Sequence, residues 1–105
     1  LCYVSSEAGS IALAHREDSF SYCMSKAALN MQVSLTFRRL RPEGYTFRLY
    51  HPGWVNSYME GDKMSTEGTY QPEDTARAAY AQFTSDAPCE DVLLLRDIKG
   101  ETWSL

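Results

Sequence analysis

The sequence predicts an α/β fold on a parallel sheet, and three observations predict it. Short apolar runs at residues 1–4, 45–51 and 92–95 have strand character. Two longer segments, residues 22–40 and 73–84, carry helical patterning between them. The order is therefore strand, helix, strand, helix, strand, and helices separating short strands imply parallel pairing through right-handed crossovers.

Leu1-Cys2-Tyr3-Val4 reads as a buried strand stopped by Ser5-Ser6. Residues 7–21 read as a loop, with Gly9 and the polar run His15-Arg16-Glu17-Asp18-Ser19. Residues 22–40 form a long helix. Cys23, Met24, Ala27, Ala28, Met31, Leu35 and Phe37 spread apolar surface over much of its girth, which predicts burial on more than one side. Ser19 or Ser21 caps its start, and Pro42 and Gly44 end it. In residues 45–51, Phe47 and Leu49 alternate with Arg48 and Tyr50 at the two-residue period of a strand. Pro52-Gly53 stops that strand. Residues 59–69 are polar and read as a loop with room for a short helix. The second helix runs from Glu73 to Thr84, with Pro72 in its first turn and Ala76, Ala79, Tyr80 and Phe83 at helical spacing. Residues 92–95 supply the third strand, and residues 97–105 form a tail in which Trp103 covers the end of the sheet.

The 105 residues suit one small domain, and no composition shift marks a boundary. The net charge of -4 argues against a nucleic-acid partner, which requires a basic face. The run Arg38-Arg39-Leu40-Arg41 reads as the basic C-terminal end of a helix. Cys2, Cys23 and Cys89 lack metal or redox spacing, and His15 and His51 stand alone, so no zinc site is expected. Unpaired cysteines suit a reducing compartment, hence the cytoplasm. No apolar run reaches membrane-spanning length, so no membrane partner is expected. The chain opens inside strand-like sequence without an initiator Met, which predicts a fragment of a longer protein.

Of the seven tyrosines, Tyr22 has a Lys four residues later. On a helix the pair shares one face, about 5–6 Å apart at Cβ. An ammonium there favours the phenolate and can draw a Tyr pKa from about 10 toward neutrality. Such a Tyr can protonate a carbonyl oxygen or deprotonate an alcohol. Taken alone, Tyr22 and Lys26 read first as an incidental surface pair. Their context is the informative part. Val4-Ser5-Ser6-Glu7-Ala8-Gly9-Ser10 ends one strand, Tyr22-Cys23-Met24-Ser25-Lys26-Ala27-Ala28-Leu29-Asn30 opens the helix, and His51-Pro52-Gly53-Trp54-Val55-Asn56-Ser57 follows the next strand. All three lie at the carboxyl edge of a parallel sheet, where ligands bind in open α/β folds.

These segments resemble the short-chain dehydrogenase/reductase family over nearly the whole chain, from the strand carrying the catalytic Ser to the family's C-terminal strand. The resemblance implies the C-terminal portion of a doubly wound Rossmann-like parallel sheet, with three strands and two main helices in one partial domain, residues 1–105. It also implies an NAD- or NADP-dependent oxidoreductase acting on a small-molecule carbonyl or secondary alcohol. In that reading Tyr22 is the acid/base and lies beside the cofactor with Lys26, which binds the ribose hydroxyls and tunes Tyr22. Ser6 bonds the substrate oxygen, and Pro52, Gly53, Val55 and Ser57 lie against the nicotinamide. Ser57 stands where the family usually has Thr. The helix at residues 22–40 would pack on its twin in a homodimer or homotetramer.

Two departures qualify the resemblance. The loop between Ser6 and Tyr22 is longer than usual around residues 15–18, which is either a substrate-side flap or a surface insertion. The glycine-rich phosphate loop, the family's Asn-containing segment and the residue that selects NAD or NADP are absent, so tight cofactor binding by these 105 residues is not expected. Bland readings stand beside the functional ones. Ser5 and Ser6 end a strand, Pro52-Gly53 is a turn, Ser25 and Ala28 permit close packing, and Trp54 either packs or flanks the cofactor. A second function class therefore stays open: a truncated, inactive chain that serves only as a dimerisation or interaction module.

Overall fold

A computed structural model of the chain describes residues 1–59, 61–88 and 91–105. Cys89 lies outside them. The elements are β1 (Cys2–Val4), α1 (Phe20–Leu40), β2 (Arg48–Tyr50), α2 (Pro72–Phe83), β3 (Leu95–Arg96) and β4 (Thr102–Trp103). One sheet runs in the order β1-β2-β3-β4. The pairs β1–β2 and β2–β3 are parallel, as the alternation of strands and helices predicts. Among the described residues β1 pairs with β2 alone, which leaves its other edge open.

The pleat of β2 sorts side chains to two layers. Phe47 and Leu49 face α1 and join Val33 and Leu95 in the core, with Tyr3, Leu29, Phe37 and Trp103 packed around them. Phe37 meets Phe47 edge-on at 5.3 Å between centroids. Tyr50 points the other way, toward α2. Its ring meets Phe83 edge-on at 5.9 Å, and its hydroxyl lies 2.7 Å from Thr75 Oγ1 and donates to the Thr75 carbonyl at 3.0 Å. Burial is the main cause that pushes the Tyr50 pKa up. Helices thus cover both faces of the parallel sheet.

Several expectations need correction. Among the described residues, the broad apolar surface of α1 is not covered on more than one side. Phe20, Met24, Met31 and Leu35 are exposed, and Asn30 and Val33 are its buried residues. Ser19 is the N-cap but gives no capping bond. It adopts left-handed backbone (φ 58°), and its hydroxyl turns to Asp18 instead. The apolar face assigned to α2 is rotated. Tyr80 and Ala76 are exposed, because the bonds of Thr75 to Tyr50 and Pro52, and of Gln82 to the Asp97 carbonyl, set which side faces the sheet. No helix forms among the described residues of 59–69.

The third strand starts three residues later and ends one residue later than expected, at Leu95–Arg96, with Val92 exposed. The tail is more than a cover. Thr102–Trp103 pairs antiparallel with β3 as a fourth strand. Asp97 organises the turn between them, accepting from Lys99 N and Glu101 N at 2.9 Å each and from Trp103 Nε1 at 3.0 Å. No helix among the described residues is long and apolar enough to cross a membrane.

Candidate active site

Parallel pairing brings the carboxyl ends of β1 and β2 to one edge of the sheet. Ser5 N donates to the Tyr50 carbonyl at 2.7 Å, so the pairing continues one residue past β1. Ser6 follows, 5% exposed, as the N-cap of a single 3-10 turn, Glu7–Gly9. Its Oγ accepts from Ala8 N at 3.1 Å, which leaves the hydroxyl hydrogen available to another acceptor.

The 3-10 turn lies directly on α1. A Cβ on Gly9 would stand 2.5 Å from the Lys26 carbonyl carbon and 2.7 Å from Ala27 N. Only a residue without a side chain permits that approach. Lys26 is therefore held beside the segment that carries Ser6. One turn earlier on α1 is Tyr22, and Lys26 Nζ stands 5.6 Å from its ring centroid, within cation–π range. Ser25, between them, bonds back to the Tyr22 carbonyl at 2.7 Å. Both Ser25 and Ala28 are exposed, so neither serves close packing within this chain.

Beyond β2 the chain forms the second wall. Gly53 takes positive φ (79°), and the Tyr70 ring lies where its Cβ would be, at 2.7 Å. Val55 and Tyr70 form an isolated parallel bridge. Its bonds run from Asn56 N to the Tyr70 carbonyl and from Tyr70 N to the Trp54 carbonyl, each 3.0 Å. The N–H and C=O of Val55 itself face away from Tyr70, as alternate strand residues do. A polar planar group such as a carboxamide would find one donor and one acceptor there, so this stretch fits the expected cofactor. Ser57 N is bonded to Ser65 Oγ, and Ser57 Oγ accepts from Met59 N. Trp54 is exposed, which removes the reading of it as a packing residue within this chain.

The long loop is clamped. Arg16 forks onto Glu7 with bonds of 2.7 and 2.5 Å. That hydrogen bonding holds the Glu7 carboxyl below its ordinary pKa, against the opposing effect of burial, and holds the Arg16 guanidinium above its own. Behind the clamp the loop and the start of α1 enclose a cleft of about 140 Å³, lined by residues that include Ala8, Leu13, Phe20, Cys23 and Met24.

Three contributors went unassigned in the sequence. Asn30 lies two helical turns beyond Tyr22, buried, and Ser5 Oγ donates to its Oδ1 at 2.5 Å. The four-residue spacing of Tyr22, Lys26 and Asn30 was the available signal. His51 is 7% exposed, edge-on to Trp103 at 5.5 Å, and its Nδ1 accepts from Gly53 N at 3.4 Å. Burial lowers its pKa, with Glu7 and Asp97 opposing. Tyr70 supports Gly53, and no local pattern marked it.

No protein-family model matches the chain. It is 46% identical over 61 residues to the C-signal protein of Myxococcus xanthus, covering 58% of this chain and 37% of that protein. It is 42% identical over 57 residues to an uncharacterised oxidoreductase of Saccharomyces cerevisiae, covering 54% of this chain and 22% of the other. Among solved structures, an NADPH-bound carbonyl reductase from chicken fatty liver superposes with a TM-score of 0.75 at 26% identity, over 97% of this chain and 41% of that one. A putative short-chain dehydrogenase/reductase from Burkholderia multivorans with bound NADP gives 0.70 at 24% identity, over 99% and 43%. The chain thus spans less than half the length of each of these proteins.

Proposed function

We propose that this chain, a short-chain dehydrogenase/reductase by fold and sequence, is the proton-transferring part of an NAD(P)-dependent oxidoreductase acting on a carbonyl or a secondary alcohol. The observation that carries the reading is Lys26 set over Tyr22 on α1, with the strand end bearing Ser6 packed against Lys26 through Gly9. An ammonium and a phenol so placed set a proton donor and a fixed positive charge side by side on one helix face.

In the reducing direction Ser6 donates its hydroxyl hydrogen bond to the carbonyl oxygen. Tyr22 passes its phenolic proton to that oxygen as negative charge develops there. Lys26 stabilises the phenolate left behind, which recovers a proton from water. Lys26 and the Pro52–Ser57 stretch, with the backbone of Val55, would hold NAD(P), which supplies the hydride when bound. Oxidation of an alcohol runs the same steps backward. The exposed apolar side chains of α1 suit pairing with a second copy, and residues 1–105 form one unit of a longer fold.

Kinetics of the whole protein with NADPH or NADH and a panel of ketones and aldehydes test the roles. Ser6→Ala should lower kcat by about 10²- to 10³-fold with cofactor affinity retained, whereas Lys26→Met should weaken cofactor binding and turnover together. Full turnover in Ser6→Ala would remove Ser6 from the mechanism. The alternative, an inactive interaction module, predicts no cofactor consumption with any substrate.

A further inference from the structure

We infer that Asn30 is a positioning residue of this active site, holding the strand end that bears Ser6 in register with Tyr22 and Lys26. The inference rests on the reading just proposed. Tyr22, Lys26 and Asn30 recur every four residues on α1, so they rise along one face of the helix. Asn30 is 4% exposed, and its Oδ1 accepts from Ser5 Oγ at 2.5 Å. Ser5 is 2% exposed and is bonded through its own N–H to the Tyr50 carbonyl on β2. Ser6 is the next residue. One side-chain amide thus joins the acid/base face of the helix to the strand end carrying the oxygen-binding hydroxyl.

The choice of residue is informative. The neighbouring inward positions of α1 are Leu29 and Val33, both part of the apolar core or packed against it. Asn30 Nδ2 is buried with no hydrogen-bond partner among the described residues. A buried donor left unpaired costs stability, and replacing both members of a buried polar pair by apolar groups can be nearly neutral. Packing alone would therefore favour an apolar residue here. What the amide adds is a directional bond to Ser5, beside the steric stop set by Gly9 against Lys26. Reaction rates are steep in such placement, since a shift of about 1 Å can cost on the order of 10²-fold.

The test uses the whole protein with NADPH, reading turnover per cofactor-occupied site so that loss of folded protein does not count. Asn30→Ala and Ser5→Ala should each lower that rate by about 10- to 100-fold. The double variant should fall no further than either single one, because both remove the same bond. Ser5→Thr, which keeps a hydroxyl, should recover most of the rate. A rate per occupied site within about twofold of the parent in Asn30→Ala, or losses that multiply in the double variant, overturns the assignment. Tyr22→Phe separates this idea from the one beneath it. Near-normal turnover in Tyr22→Phe overturns the catalytic reading itself. Loss there alongside unaffected Asn30→Ala and Ser5→Ala overturns the Asn30 role alone.

Discussion

Gly9→Ala perturbs the joint between the two halves of the site with a single methyl group. The added Cβ would meet the Lys26 carbonyl carbon at 2.5 Å, its oxygen at 2.6 Å and Ala27 N at 2.7 Å. All three are backbone atoms in the middle of a 21-residue helix, so no side chain can swing aside. Ordinary contact begins at 3.4 Å, so the 3-10 turn must lift from α1 by roughly 0.9 Å. Overpacking of this kind costs about 1–3 kcal/mol, and in a domain of this size about 1 kcal/mol moves Tm by roughly 4–8 °C. The same lift carries Ser6 away from Tyr22, so turnover should fall by about 10- to 100-fold in the molecules that remain folded. Thermal unfolding and turnover of the whole protein are measured side by side. A variant with the parent's Tm and turnover would refute the close approach on which the site geometry depends.

Three further outcomes follow from the same contacts. Burial lowers the His51 pKa below its ordinary 6.5, so the unfolded chain binds the proton more readily. Stability is then complete above pH of about 6.5 and declines as pH falls below it, and His51→Asn should flatten that part of a denaturation-versus-pH curve. The Glu7 carboxyl is depressed chiefly by Arg16, so its contribution is present above the ordinary 4.5 and is lost as pH falls below it; Arg16→Ala should remove this lower step. Asp97→Ala takes the acceptor from Lys99 N, Glu101 N and Trp103 Nε1 together and should lower stability by about 3 kcal/mol, read as a shift in denaturant midpoint with unchanged slope.

Much of the fold was legible because its signals are local. The alternation of Phe47 and Leu49 with Arg48 and Tyr50 sorts side chains to the two faces of β2 that the structure displays. Pro72 opens α2, which runs one residue ahead of the Glu73–Thr84 span expected from the sequence at both ends. What escaped the sequence depends on distant partners. β4 is two residues long in a polar tail, and its pairing is organised by the buried carboxylate of Asp97 rather than by any apolar run. The rotation of α2 follows from hydrogen bonds of Thr75 and Gln82, polar residues that a hydrophobic period passes over, while the aromatic Tyr80 drew the predicted face outward. At the site, Tyr22 and Lys26 announce themselves by spacing, and the structure sets Lys26 over the Tyr22 ring. Asn30 shares the four-residue spacing of that pair, but the partners through which Asn30 and Gly9 act, Ser5 and Lys26, lie 25 and 17 positions away and no local spacing identifies them.

The central claim is that Tyr22 moves the proton while other groups hold the cofactor. The most direct measurement is a single-turnover mix of the whole protein, carrying Tyr22→Phe and loaded with NADPH, against a ketone that the parent reduces. The account predicts NADPH bound with an affinity close to the parent's and cofactor oxidation slowed by at least about 10²-fold. Oxidation at the parent's rate, with NADPH bound as before, would contradict it.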